Sequence, residues 1–269
     1  MNSFRMKALS LAVLGLVGFG AMGSAMAACP AGPVPPWDSK TTTTATLNVV
    51  GGNPGDGLNG TSCKLSVAVS AGAQPNAKAF VSNTSGPVNE PRYRARFYLE
   101  TTGLTGITLA NRQAFIASAQ AGAGLAPAGR GLSMVNVALI GGAPPSVSFL
   151  VADDDQPSGF STVAVALPDN SGEYRIEFDL QKGTSAVNKG SFRCWVTTAG
   201  AVTTDDTPTP TTSPTNTCAP IAVNNFGWGG VSRMNLGFAN VSQQARANLV
   251  SQVLSLDEFD SRRQTFIGK

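Results

Sequence analysis

The sequence has no histidine, and that absence removes more chemistry than any other feature. No Ser-His-Asp triad, Cys-His dyad or imidazole metal site can form, because histidine is the side chain whose ordinary pKa lies near neutrality. Cysteine is scarce as well. The four present, Cys29, Cys63, Cys194 and Cys218, never approach the CxxC spacing of a four-cysteine zinc site. No block of Lys and Arg stands out, and phosphate binding needs clustered cations, so nucleic acid is not an expected partner. No apolar run reaches the ~20 residues of a membrane span. What remains is carboxylate chemistry or none.

The N-terminus carries an address. Arg5 and Lys7 precede an apolar run from Ala8 to about Met22, and the small-residue site Ala25-Met26-Ala27 follows. That is the pattern of a secretory signal peptide over residues 1–27. Met26-Ala27-Ala28 before Cys29 also resembles a degenerate lipobox, so lipid anchoring through Cys29 is the competing reading. Cleavage after Ala27 is preferred because it leaves an even set of four cysteines in an oxidising compartment. The expected bridges are Cys29 with Cys63 and Cys194 with Cys218, each local to one end of the chain. Removing residues 1–27 takes two of the 19 Lys and Arg and none of the 16 Asp and Glu, which leaves one excess positive charge. The mature chain, residues 28–269, is expected to be one extracellular or periplasmic domain, since all-β domains reach this length as single units.

After residue 40 the periodicity is that of strands. In "RYRARFYLE" Tyr93, Ala95, Phe97 and Leu99 share one face, with Arg92, Arg94, Arg96 and Tyr98 on the other. "EYRIEFDLQ" repeats the arrangement, with Tyr174, Ile176, Phe178 and Leu180 opposite Arg175, Glu177 and Asp179. Further strand candidates are "TATLNVV", "CKLSVAVS", "KAFVSN", "RQAFIASAQ", "MVNVALIG", "SVSFLVAD", "FSTVAVALP", "SFRCWVTT", "RMNLGFANV" and "LVSQVLSLDEF", separated by clusters such as "GGNPGDGLNG" and "LPDNSGE". About a dozen short strands at this spacing predict an all-β, antiparallel two-sheet sandwich. The Thr/Pro-rich stretch 203–217 reads as a long extended loop whose ends a Cys194–Cys218 bridge would pin together. "VSQQARANLVSQVL" fits a helix too, but strand-turn-strand is the preferred reading.

In order, "GLNGTSCKLSV", "RYRARFYLE", "EYRIEFDLQ" with "SFRCWV", and "LDEFDSRR" resemble a group of secreted bacterial proteins related to the concanavalin A-like lectin and glucanase sandwiches, with a laminin-G-like jelly roll. The resemblance spans roughly Leu58 to Gly268. It implies two curved antiparallel sheets, a last strand that returns beside the first ones, and carbohydrate binding or cleavage. The chain departs from that pattern in two ways. It lacks the Glu-x-Asp-x-Glu strand of the retaining glucanases, and the legume-type calcium and manganese sites use a histidine that is missing here.

Each chemical candidate competes with an architectural reading. Asp257, Glu258 and Asp260 could form a glycosidase pair only across a groove, with carboxyls ~5 to 10 Å apart. Adjacent strand residues point to opposite faces, so Glu258 and Asp260 share one face and Asp257 takes the other. A cross-strand charge ladder with Arg92, Arg94, Arg96 and Arg262 is therefore expected, and no catalytic residue is assigned. Asp153, Asp154 and Asp155 are the candidate calcium ligands, because hard oxygens on a loop suit that ion; calcium is the one cofactor the sequence leaves open. Trp195, Trp228 and Tyr98, with Phe226, are the candidate glycan-stacking rings. Trp195 has the parity of a residue facing away from the core, and Trp228 lies in "NNFGWGG", whose glycines suggest an exposed loop. Trp37, in a Pro-rich leader without an aromatic neighbour, is a poor candidate. The leading function is a secreted, non-enzymatic binding or surface module with a glycan or cell-surface polymer as partner. The alternatives are a carboxylate-dependent polysaccharide-active enzyme and a structural or adhesive surface protein.

Overall fold

Short alternating segments closed off by Gly, Pro and Asn turns build the whole framework. The computed structural model describes residues 29, 37–70, 77–102, 104, 113–169, 171–199, 217–243, 245 and 252–262. Among them the chain runs through β1 (Ser39–Thr43), β2 (Ala45–Gly51), a single 3-10 turn η1 (Leu58–Gly60), β3 (Cys63–Val69) and β4 (Lys78–Asn83). It continues through β5 (Arg92–Glu100), β6 (Gln113–Ala121), β7 (Ser133–Ile140), β8 (Ser146–Ala152) and β9 (Phe160–Ala166). The last strands are β10 (Glu173–Gln181), β11 (Gly190–Thr198), β12 (Thr217–Val223), β13 (Val231–Val241) and β14 (Val253–Arg262).

They form two antiparallel seven-stranded sheets, packed face to face as a jelly-roll sandwich. The first has the order β1-β4-β13-β6-β7-β8-β9 and the second β12-β11-β10-β5-β14-β3-β2. One core fills the space between them, because the strands other than the polar edge strand β1 turn an apolar face inward. Phe149 of β8 meets Phe178 of β10 and Phe192 of β11 at centroid distances of 6.5 and 5.5 Å, so aromatic rings join the two sheets directly. The expected all-β sandwich is what forms.

Two strands are not visible in the sequence pattern, and both are edge strands. β1 is a polar run, SKTTT, with no apolar alternation. β12 carries Pro220, which lacks a ladder donor and is tolerated where one side of the strand has no partner. The strand-turn-strand reading of "VSQQARANLVSQVL" is corrected at its start. Gln243 and Ala245 are helical, and the Ser242 hydroxyl accepts a hydrogen bond from the Ala245 N–H at 3.2 Å, the arrangement of a helix N-cap. The segment's later residues up to 251, residues 1–27 with the expected signal peptide, and residues 203–216 lie outside the described residues.

Both expected bridges are present. Cys29–Cys63 ties the segment before β1 to the foot of β3, and Cys194–Cys218 joins directly opposed positions of β11 and β12. Two disulfides are typical of proteins that mature in oxidising compartments. No helix among the described residues is long and apolar enough to cross a membrane.

Trp37 is not isolated, as its Pro-rich surroundings suggested: it packs on Phe259 of β14 at 4.6 Å. Beside it, Asp38 fastens the entry to β1. Its carboxylate accepts hydrogen bonds from the backbone N–H groups and hydroxyls of Thr84 and Ser85. The Thr84 N–H leads these in holding the Asp38 pKa down from 3.8 to about 2. A depressed carboxylate stabilises the fold above its unfolded pKa and loses that contribution as pH falls through the folded value. Asp38→Ala should therefore melt below the parent protein at neutral pH, and the gap should close between about pH 4 and 2 in thermal scans. A gap that persists below pH 2 would show that packing, not the charge, is lost.

Candidate functional site

The second sheet has an unusual solvent-side face. Parity puts Tyr93, Ala95, Phe97 and Leu99 of β5 and Tyr174, Ile176, Phe178 and Leu180 of β10 in the core, so Arg, Glu, Asp, Tyr and Trp side chains line the other side. Across the strands Arg175 stands between Tyr98 and Thr197, Glu177 between Arg96 and Trp195, and Asp179 between Arg94 and Arg193. This is where the two Tyr-Arg segments and the "SFRCWV" strand meet.

A β-bulge brings β14 into the same face. Leu254 and Leu256 point into the core, then the register jumps so that Asp257 pairs with Tyr98 and Asp260 with Arg96. Glu258, at φ 46, takes the left-handed turn that the jump requires. The expected pairing of Glu258 with Asp260 on one face is corrected by this bulge: Asp257 and Asp260 share the outer face, and Glu258 lies in the bend between them.

The face is buried to a degree that a surface ladder is not. Arg175 is 1% and Glu177 0% exposed, and the two pair within one strand. Tyr98 is 1% and Trp195 2% exposed. Arg92 and Arg94 both bind the Asp179 carboxylate, at 2.9 and 2.8 Å, while Arg96 lies 3.8 Å from Glu258. Guanidinium groups also cover the rings: Arg94 lies 5.9 Å from the Trp195 centroid and Arg96 5.6 Å from that of Tyr98. Charge pairing thus links β5 to β10 through Asp179 and to β14 through Glu258, while the central pair, Arg175 with Glu177, runs along β10 and is buried.

Burial sets the electrostatics. It pushes the Asp179 carboxyl up, but the hydrogen bonds from Arg92 and Arg94 outweigh it and hold the group below its ordinary value, hence ionised. Burial pulls the Arg175 guanidinium down, against the nearby Glu177 charge. Asp257 goes the other way, raised by burial with the Glu258 charge adding to it. Its oxygens are occupied, however. Oδ2 accepts from the Leu58 N–H at 2.9 Å and from the Thr61 hydroxyl, and Oδ1 accepts from the Glu258 N–H at 2.8 Å.

The other candidate residues lie elsewhere. Trp228 is not in an exposed loop; it is 2% exposed and part of the core. Its flanking glycines serve close packing, since a Cβ on Gly230 would sit 2.4 Å from the Asn89 backbone and one on Gly229 2.5 Å from Leu125. Phe226 is the exposed ring of that turn, at 41%. Asp153, Asp154 and Asp155 are each engaged by other protein groups, and Asn224 bonds to both Asp153 and Asp155. Asp153 accepts from Ser161, Asn224 and Asp155, Asp154 lies 3.6 Å from Arg130, and Asp155 pairs with Lys189. Among the described residues no group of three or more Cys, Asp or Glu side chains gathers as a metal cluster. The central Arg175, Glu177 and Arg96 were legible only as a charge ladder; the signal for more was that the outer parities of both Tyr-Arg segments contain few neutral residues.

No protein-family model matches the chain, and no curated protein does. Solved structures do. An endo-β-1,4-glucuronan lyase from the fungus Trichoderma reesei superposes with a TM-score of 0.59 over 88% of this chain and 96% of its own, at 12% identity. A mutant of alginate lyase Aly36B, solved in complex with alginate trisaccharide, superposes with a TM-score of 0.51 over 74% of this chain and 81% of its own, also at 12% identity. At such identity the likeness is one of fold.

Proposed function

We propose that this chain is a secreted polysaccharide-degrading protein that binds an acidic polysaccharide on the outer face of the second sheet and cleaves it by elimination. The observation that carries this reading is the buried Arg96, Tyr98, Arg175, Glu177 and Trp195 set on the solvent side of a sheet whose other side already supplies the core. Burying ion pairs adds little net stability compared with apolar residues of similar volume, so the arrangement has a better explanation in function than in folding.

Elimination from a uronate removes the proton on the carbon next to the carboxylate, breaks the bond to the glycosidic oxygen and returns a proton to that oxygen. In a chain without histidine, this reading assigns proton transfer to Tyr98, which has Arg96 over its ring and Arg175 across the strand. Those guanidiniums suit a developing negative charge on the phenol or on the substrate carboxylate. Arg92, Arg94 and Arg193 around the single Asp179 give one end of the face an excess of positive charge that fits a polyanion. Hydrolysis by two carboxyls fits less well, because Arg92 and Arg94 occupy the Asp179 carboxylate and Asp257, the raised carboxyl, is engaged by Leu58, Thr61 and Glu258. Glucuronan and alginate, the polymers associated with the two structural neighbours, are both polyuronates and are the first substrates to try.

This reading puts the enzyme alternative ahead of the non-enzymatic module that the sequence favoured. The test is incubation of oxidised mature protein with polyglucuronate, alginate and neutral glucan, each with calcium and with chelator. Unsaturated products from a polyuronate, seen by ultraviolet absorbance, are expected. Binding without any unsaturated product would return the protein to the module reading, and loss of activity on chelation would reopen a calcium role for Asp153 to Asp155.

A further inference from the structure

The two sheets end in four edge strands, β1, β9, β12 and β2. Three of these edges are blunted. β1 carries the charge of Lys40 and β12 carries Pro220, and both features disfavour a new neighbouring strand. On β2 the even-numbered residues bond to β3, since Thr44 accepts from Ser70 at one end of that ladder and Gly52 donates to Ser62 at the other. The backbone groups left for the edge belong to Ala45, Leu47, Val49 and Gly51, of which the first two are buried.

β9 differs on each count. Its ladder with β8 runs without a bulge. The Asp153 N–H donates to Gly159 at one end and the Leu167 N–H to Pro145 at the other, both at 2.9 Å, so the odd-numbered residues bond to β8. The N–H and C=O groups of Phe160, Thr162, Ala164 and Ala166 therefore point to the edge. The Ser158 hydroxyl accepts from the Phe160 N–H at 3.3 Å and donates to its carbonyl at 3.0 Å. Thr162, Ala164 and Ala166 are exposed, and among the described residues nothing bonds to their edge groups. β12 runs beside β9 in the other sheet without covering them. The run Phe160–Leu167, FSTVAVAL, has no charged residue and no proline. Natural proteins usually blunt such an edge, because it is a ready template for another strand.

The strand that fits this edge best is its own copy. An antiparallel pairing about a two-fold axis at Ala164 sets Ala164 opposite Ala164 of the copy and Thr162 opposite Ala166. Each of these residues then exchanges its N–H and C=O with the residue facing it, as in a hydrogen-bonded antiparallel pair. Their side chains are small, so nothing on that face holds the two backbones apart. On the other face Val163 meets Val165 of the copy. Both valines are half-buried and packed on the core, so the pairing covers the flank of each core with apolar side chains. With no charge on the strand, no like charges are brought together.

We infer that β9 is a self-association edge, through which two copies of this chain join their first sheets into one continuous sheet. Thr162, Ala164 and Ala166 are the pairing residues, and Val163 and Val165 close the joint over the core. The joint belongs to the first sheet and does not use the outer face of the second, so this inference stands apart from the substrate reading.

The test is the mass of the oxidised mature protein in solution, measured by light scattering over a dilution series. Wild type should rise from one chain toward two as concentration increases, and stop there. Ala164→Pro removes an N–H that points away from β8, and Ala164→Lys sets two like charges face to face across the axis. Each should weaken association at least about tenfold while circular dichroism and the melting temperature stay near wild type. Register has its own readout. Directly opposed hydrogen-bonded residues stand about 5.5 Å apart between Cα atoms, within reach of a disulfide, so Ala164→Cys should crosslink two chains on mild oxidation. Thr42→Cys, on the opposite edge of the same sheet, should not. A wild-type mass of one chain at every concentration overturns the inference. So does association that continues past two chains, a folded Ala164 variant that pairs as tightly as wild type, or crosslinking no faster at position 164 than at position 42.

Discussion

Tyr98→Phe should lower turnover of a polyuronate by about 10²- to 10⁴-fold, the range for losing a positioned proton-transfer group, with little change in KM. The substitution removes one oxygen and keeps the ring, so the contact with Arg96 at 5.6 Å and the packing of β5 against β10 remain. The melting temperature should fall by a few degrees at most, since the packing stays while the interaction of the buried hydroxyl with Arg175 is lost. Steady-state kinetics on the best polymer from the activity screen provide the check. A loss of less than about threefold would remove Tyr98 from the chemistry, and a loss confined to KM would make it a binding group.

The second large effect is on stability. Glu177→Ala leaves the Arg175 guanidinium, 1% exposed, without the carboxylate it pairs with inside β10. Breaking a buried pair from one side typically costs about 3 to 5 kcal/mol, because the remaining charge stays desolvated. Denaturant unfolding should show that loss as a lower midpoint with an unchanged slope. Removing both charges, as Arg175→Met with Glu177→Leu, should recover most of the stability and still abolish activity. A double variant that stays as unstable as the single one would make the pair structural. One that is stable and fully active would show that the reaction does not use it.

The framework was legible in the sequence to the extent that each strand is half-buried and regular. β5 and β10 show it best, since strict alternation assigned the face of every residue from Tyr93 to Leu99 and from Tyr174 to Leu180. β1 and β12 were hidden because an edge strand needs no second apolar neighbour. The bulge in β14 was hidden because a left-handed Glu258 has no residue-type signature, and it reverses the face of each residue after it. Trp228 shows the same limit in a loop: glycines permit both exposure and close packing, and only the neighbouring Asn89 and Leu125 decide which. For the site, parity placed Tyr98 and Trp195 correctly on the outer face. Their burial was not legible, because it depends on arginines from neighbouring strands and on a loop that reads as ordinary turn sequence.

The place of β14 also bears on how the protein comes into being. It lies between β5 and β3 in the interior of its sheet, although it is the last strand in the sequence. Until residues 253–262 have emerged and docked, the β2–β3 hairpin has no neighbour on one side and β5 offers an open edge. Without β14 the second sheet is two separate pieces, β12-β11-β10-β5 and β3-β2, and joining them pairs residues as far apart in sequence as Leu65 and Leu256. Such long-range closure is slow. Completion of the second sheet therefore depends on the docking of residues 253–262, which alone supply the pairing that both β5 and β3 lack.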